Sequence, residues 1–288
     1  MTGLNLINYL RRLTKNYLYE RERMEVEEAI VPIFLNQTTE CVDVGANYGR
    51  YTVLMSLFSH HVHSFEPSFQ CVNSLNNLRL VNVSIYPNAL SSSEGVGEYF
   101  APIKEGTHFS SHGSLEQSVL KTYHDVDTIK VSTSTLDSLS SKSISFVKID
   151  VEGHEMEVLS GGQKLIAQQK PVFMVEAEER HSTDALEKIK DFFEKFHYQG
   201  FYISGKELFP FDSFVAELQN PSELERSVPR KEMSYINNFI FLPPSLDTAS
   251  VIRKIIARLG SQNWIQIFVL LRVAMSKSKL ERYHNIKH

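Results

Sequence analysis

Between residues 40 and 90 the apolar positions switch repeatedly between runs, alternation and helical spacing, and each switch marks an element. The pattern predicts a strand over 40–45, a helix over 48–59, a strand over 61–66, a helix over 68–80 and a strand over 83–88. Order resumes with a strand over 145–151, a helix beginning near His154, a strand over 172–176 and a helix over 184–196. Strands over 198–204 and 235–242 follow, the last ending at Pro243-Pro244. Alternating βαβ units with short loops specify an α/β fold, a parallel sheet with helices on both faces. Two late strands so close together call for an antiparallel partner at one edge. Before the first strand, Leu6, Leu10, Leu13, Tyr17, Met24, Val26 and Ile30 recur at helical spacing and predict one or two helices capping the sheet.

Residues 91–128 break this rhythm, being rich in Ser, His, Gly and charge without a sustained period, and read as a long loop or lid. It leaves the end of a strand, the side on which α/β folds bind ligands. Three regions are expected: an N-terminal helical cap over 1–36, a main domain over 37–245, and basic amphipathic C-terminal helices over 246–288.

The strand-to-helix turn at Val42-Asp43-Val44-Gly45-Ala46-Asn47-Tyr48-Gly49 carries the first candidate chemistry. Gly45 and Gly49 lack a Cβ, so the turn can adopt unusual dihedrals and let a ligand lie against the backbone. The helix that follows offers unpaired N–H groups suited to a carboxylate or phosphate, while Asp43 suits an ammonium group. Phe65-Glu66-Pro67 ends the second strand about twenty residues later, and a carboxylate there can accept two hydrogen bonds from a ribose diol. The combination fits an adenosine joined to a zwitterion. A nicotinamide dinucleotide fits less well, because Asn47 and Arg50 stand where the G-x-G-x-x-G fingerprint needs glycine.

Length and composition set outer bounds. The 288 residues, 42% hydrophobic and 22% charged, suffice for one large α/β domain with extensions, and a net charge of −4 gives no general attraction to nucleic acid. The charge is uneven: residues 250–288 hold eight Lys or Arg against one acid. Two cysteines, Cys41 and Cys71, exclude a disulfide framework and fit a reducing compartment. The N-terminus lacks a basic residue before its apolar stretch and no apolar run reaches eighteen residues, so neither a secretory signal nor a membrane span is expected, and the location expected is cytoplasmic.

A second polar cluster, Lys148-Ile149-Asp150-Val151-Glu152-Gly153-His154-Glu155, spans a strand end and a helix start. VDVGANYG, FEP, the Asn88-Ala89-Leu90 step, Thr135-Leu136-Asp137, KIDVEGHE, Val158-Leu159 with Gly161, and Pro171 before Glu176 together resemble the FkbM family of S-adenosylmethionine-dependent methyltransferases, over roughly residues 40–242. The resemblance implies a Rossmann-like seven-stranded methyltransferase sheet, mostly parallel with one antiparallel edge strand, and methylation of oxygen. It implies that Asp43, Gly45, Asn47 and Gly49 hold the methionine and ribose portions of S-adenosyl-L-methionine, Glu66 the ribose hydroxyls, and Asn88 with Ala89 the adenine edge. Asp150 and the residues after it would border the reacting centre.

Methyl transfer from a sulfonium is an in-line displacement, so acceleration comes largely from holding the acceptor oxygen at the right distance and angle. A base need take only one proton. His154, in the first turn of a helix whose positive end disfavours imidazolium, is the expected base, with Asp150 as the alternative. Glu152, Glu155 and Glu176 form a structural carboxylate network or, with Asp150, hold a divalent cation; no metal is expected. His60, His61 and His63 have strand roles, and His108 and His112 are candidates for touching the acceptor.

The tail lies beyond the resemblance. Val251, Ile252, Ile255, Ile256 and Leu259 share a helix face, Gly260-Ser261 breaks the helix, and a second runs through Trp264 to Met275. Such helices pack on the domain or a second subunit, or lie on a membrane surface. The expected partner is a small-molecule or carbohydrate hydroxyl acceptor, on a sugar, glycolipid or other metabolite, and not nucleic acid. The competing readings are a nucleotide-cofactor oxidoreductase and a non-catalytic nucleoside-binding scaffold.

Overall fold

The computed structural model describes residues 25–104, 107–108, 113–120, 123–220, 222 and 235–261. In chain order the strands are β1 (Glu40–Val44), β2 (His61–Phe65), β3 (Val83–Tyr86), β4 (Ala89–Leu90), β5 (Gly95–Lys104), β6 (Thr107–His108), β7 (Val126–Ser134), β8 (Ile144–Ile149), β9 (Val172–Glu176), β10 (Gln199–Ser204), β11 (Glu207–Pro210) and β12 (Asn238–Leu242). The α-helices are α1 (Arg50–Phe58), α2 (Phe69–Leu78), α3 (Glu155–Ser160), α4 (Gln163–Gln169), α5 (Ala185–Glu194) and α6 (Thr248–Gly260).

The main sheet has eight strands in the order β11, β10, β12, β9, β8, β1, β2, β3. From β9 to β3 every pairing is parallel, as the alternating pattern predicts. Two strands run antiparallel to the rest: β11, at the edge beside β10, as expected, and β12, which lies inside the sheet between β9 and β10. Its sequence, Asn-Phe-Ile-Phe-Leu, is buried along its whole length, which an edge strand would not be. The edge is taken by β11, an eighth strand that folds back on β10 through Gly205, whose φ of +62° suits a residue without Cβ.

Burial on both faces explains the apolar runs of the central strands. On one face Val42, Val44, Val147, Ile149, Phe173, Val175, Phe239 and Phe241 pack against Val158, Leu159, Leu165, Ile166, Ile189 and Phe193 of α3 to α5. On the other, Cys41, Phe146, Val172, Met174, Ile240 and Leu242 pack against Leu54 and Met55 of α1 and against Ile30, Val31 and Phe34. Both cysteines are free thiols.

The stretch expected as a loop is instead largely a second sheet, ordered β4, β7, β5, β6. β5 and β7 pair antiparallel from Gly95 opposite Thr133 to Pro102 opposite Val126. Their inward residues Tyr99, Ala101, Ile129 and Val131 form a small core with Ala89 and Leu115. In β7 the apolar residues alternate with Asp, Lys, Ser and Thr, and threonine is itself a good strand former, so a composition typical of loops disguises a strand of period two.

At the N-terminal side, Val26–Ala29 and Val31–Ile33 are 3-10 turns rather than α-helix, with Pro32 removing one donor within the second. The predicted positions Leu6 to Met24 lie outside the described residues. Helix α6 starts at Asp247, whose side chain accepts from Ser250 N at 3.1 Å, and ends at the expected Gly260. Val251, Ile255 and Leu259 join the core, whereas Ile256 is 52% exposed. The second tail helix, through Trp264, lies outside the described residues. No helix among the described residues is long and apolar enough to cross a membrane.

Candidate active site

The polar groups gather where β1, β2 and β8 end. Gly45, at φ +76°, runs so close to the chain leaving β8 that a Cβ would sit 1.8 Å from the Asp150 carbonyl oxygen. Its N–H and that of Ala46 both donate to the Phe65 carbonyl at 3.0 Å, which closes the turn over the end of β2. Asn47 takes a left-handed φ of +50°, and its N–H donates to Glu66 Oε2 at 2.8 Å. Gly49 serves packing: at φ +91° its missing Cβ makes room for Leu75 and Leu78 of α2.

Glu66 is the acid of the second strand's end and is 5% exposed. Its Oε1 accepts from Ser68 N at 2.8 Å, so each oxygen is oriented by one backbone donor and keeps further acceptor capacity. Burial pushes its pKa up to about 7, although the Ser68 and Asn47 N–H groups pull the other way.

A cleft of about 580 Å³, counted out to its open mouth, lies beside this turn. Gly45, Asn47, Glu66, Ala89, Asp150 and His154 all contribute to its wall, so the structure brings these six predicted residues together. The second sheet closes it with Tyr99 and with Gly113, Ser114 and Leu115. Among the described residues, Asp43, Gly49 and Asn88 lie outside that wall. Asp43 is buried beneath the turn, where Thr52 Oγ1 donates to its Oδ2 at 2.5 Å and itself sits 2.9 Å from Ser64 Oγ. Burial raises the Asp43 pKa to about 6 against the Thr52 hydrogen bond. Asn88 turns its amide toward the Ala89 carbonyl at 3.4 Å.

The second motif begins with a lysine that is 1% exposed. Lys148 Nζ lies 3.3 Å from Asp150 Oδ2, 3.6 Å from Glu176 Oε2 and 5.0 Å from the centre of the Tyr51 ring. The contacts with the two carboxylates are ion pairs without hydrogen-bond geometry. Burial alone would lower the Lys148 pKa, but Asp150 and Glu176 together drive it up, so the ammonium is retained. Glu152 holds a left-handed φ of +53°, with its Oε2 3.4 Å from His181 Nε2; burial and the nearby Asp150 push its pKa up to about 8. Ser114 Oγ donates to the Glu152 carbonyl at 2.7 Å and so fastens the second sheet onto the motif.

His154 immediately precedes α3 and is 7% exposed. Its Nε2 is 2.9 Å from Ser91 Oγ and its Nδ1 is 2.8 Å from Glu116 Oε1. Glu155 Oε1 accepts from Gly153 N at 2.9 Å, and burial lifts its pKa to about 7. Beyond them Asn237 donates to Glu176 Oε1 at 2.5 Å, while Glu178 is held by Arg180 and Tyr235, so the carboxylates form a structural network. Among the described residues no group of three or more His, Cys, Asp or Glu is disposed to hold a metal ion.

A second, wider cleft of about 1550 Å³ is lined by Glu116 of the excursion and by Gly153 and Glu155, the chain neighbours of His154. Met156, Arg180, His181, Thr183 and Lys188 are among its walls. His61 and His63 do strand work: His61 Nε2 is 2.8 Å from Ser84 Oγ, and His63 sits between Tyr86 Oη at 3.0 Å and Glu40 Oε2 at 2.6 Å. His112 and the side chain of His108 lie outside what is described. Ser91, Ser114 and Glu116 were not legible as site residues, since each is a common polar residue in a segment without period.

The family model described as Methyltransferase FkbM domain matches residues 43–202. No curated protein matches the chain. Among solved structures, a methyltransferase FkbM from Methylobacillus flagellatus is 13% identical with a TM-score of 0.46, the match covering 72% of this chain and 44% of that one. This chain therefore spans less than half the length of that protein. An rRNA methylase from Streptococcus thermophilus is 10% identical, TM-score 0.39, over 75% of this chain and 93% of its own. A SAM-dependent methyltransferase from Aquifex aeolicus is 11% identical, TM-score 0.39, over 81% and 95%.

Proposed function

Since the chain belongs to the FkbM methyltransferase family, whose methyl donor is S-adenosylmethionine, we propose that it methylates a hydroxyl oxygen on a sugar, glycolipid or other natural-product acceptor. The observation that carries this reading is the joint presence, in one cleft wall, of Gly45 and Asn47 backbone, the oriented Glu66 carboxylate, and Asp150 with His154. When bound, the donor supplies an electrophilic methyl group on a sulfonium.

The residues present fit that group. Glu66, its two oxygens set by Asn47 N and Ser68 N, accepts the ribose hydroxyls. Gly45 and Asn47 give bare backbone to the methionine and ribose portions, and Ala89, following Asn88, borders the adenine. Asp43 and Gly49 act from behind: Asp43 ties β1 to α1 through Thr52, and Gly49 seats α2.

The chemistry left to the chain is orientation and removal of one proton. The acceptor enters through the wider cleft, whose mixed acids, cations and hydroxyls suit a ligand with several hydroxyl groups. As the acceptor oxygen takes the methyl group that the bound donor would supply, the hydroxyl proton would pass to His154. Asp150 is the second candidate, because it lines the same cleft. Transfer of label from [methyl-³H]S-adenosylmethionine to a panel of glycosides and hydroxylated lipids tests the reading; label found on nitrogen or carbon in the product would overturn O-methylation.

A further inference from the structure

Three segments far apart in the chain meet at one imidazole. Ser91 follows β4, 63 positions from His154, and Glu116 lies in the second sheet's excursion, 38 positions away. The ring is 8% exposed in its side chain, whereas the Glu116 carboxylate reaches it from a side chain that is 41% exposed. An ionised carboxylate has no proton to offer, and the 2.8 Å approach of Glu116 Oε1 to Nδ1 is a hydrogen bond only when Nδ1 carries the hydrogen. A neutral ring must then present its lone pair at Nε2, into which the Ser91 hydroxyl donates across 2.9 Å. Ser91 comes directly after Ala89 and Leu90, which line the narrower cleft together with His154.

We propose that Glu116 is a positioning residue for His154: it fixes the Nδ1–H tautomer, so that Nε2 is the atom that receives the proton, taken from the Ser91 hydroxyl as that hydroxyl takes the acceptor's. The inference rests on His154 as the base of the proposed reaction. It also gives the second sheet a task, because the carboxylate that sets the tautomer comes from the excursion and not from the nucleoside-binding half. Ser114, two positions before Glu116, anchors that excursion through its bond to the Glu152 carbonyl, which keeps the carboxylate at hydrogen-bonding distance.

The test is ¹⁵N spectroscopy of the full chain with labelled histidine, saturated with S-adenosylhomocysteine at about pH 8, where an ordinary imidazole is neutral. The His154 resonances are identified by their loss in His154→Asn. The expected spectrum has a protonated Nδ1 and an unprotonated Nε2. Glu116→Ala is expected to move the ring toward the Nε2–H tautomer, Glu116→Gln to preserve Nδ1–H because the amide oxygen still accepts, and Ser91→Ala to shift only the Nε2 resonance. A wild-type ring protonated at Nε2, or a tautomer unchanged in Glu116→Ala, overturns the inference. Should Glu116→Ala not fold, the wild-type spectrum and Ser91→Ala still decide the matter. Failure of the wild type to bind S-adenosylhomocysteine would instead contradict the proposed function, and calorimetry on the same sample separates the two failures.

Discussion

The Asn47 N–H donates to Glu66 Oε2 at 2.8 Å, joining the tip of the glycine turn to the acid that ends the second strand. Turn and acid are thus one unit: the left-handed Asn47 aims its N–H at the carboxylate, and the carboxylate in turn fixes the turn.

Glu66 should make donor binding depend on pH. Its pKa is raised to about 7 by burial, and only the ionised form accepts from both ribose hydroxyls with all its oxygens. Binding therefore favours the deprotonated state and weakens as the pH falls through that value. The dissociation constant for S-adenosylhomocysteine should rise about tenfold between pH 8 and pH 6. Glu66→Gln should lose about 10- to 100-fold in affinity and abolish the pH dependence; calorimetry at both pH values checks both statements.

Gly45→Ala should be severely destabilising. The new Cβ would meet the Asp150 carbonyl oxygen at 1.8 Å, and φ +76° is strained for any L side chain. A loss of about 3 kcal/mol or more is expected in urea unfolding. Gly205→Ala, in the β10–β11 turn, meets no neighbour within 4 Å and should cost only the backbone strain, about 1 kcal/mol.

Asp43 and Thr52 should act on stability more than on binding. Thr52→Val removes the 2.5 Å hydrogen bond to a carboxylate that is 2% exposed, with an expected cost of about 1–3 kcal/mol. Because Asp43 lies outside the cleft wall, the affinity for S-adenosylhomocysteine should change less than about threefold, far less than in Glu66→Gln. Paired unfolding and calorimetric measurements separate the two effects.

The buried acids also set the pH profile of stability. Asp43 at about 6, Glu66 and Glu155 at about 7, and Glu27 and Glu152 at about 8 all stand above their ordinary carboxyl values. Between the unfolded and folded values the native state holds protons that the unfolded chain has released, so stability falls as the pH rises through this window. The ligand-free protein should show a lower urea midpoint at about pH 8 than at about pH 5.5, and Glu66→Gln should lessen the difference.

The parts of this site visible from sequence are those governed by short-range rules. A buried strand, a glycine turn and a strand-ending acid occupy neighbouring positions, so Gly45, Asn47 and Glu66 could be read together. Asp43 shares their motif but is buried beneath the turn, where it accepts from Thr52 Oγ1, and this placement depends on the packing of α1 on β1 rather than on the motif. Glu116 and Ser91 reach His154 only because β5 and β7 fold the excursion back, a pairing of distant residues hidden behind a Ser- and Thr-rich composition. The interior place of β12 likewise depends on its pairing with both β9 and β10, which its own apolar run does not specify.

The most direct test of the nucleoside pocket is calorimetric titration of the purified chain with S-adenosylhomocysteine, run beside NAD. Saturable binding of S-adenosylhomocysteine at one site, weakened in Glu66→Gln, with no heat from NAD, is the expected result. Binding of NAD in its place, or no binding of S-adenosylhomocysteine at all, would contradict the account.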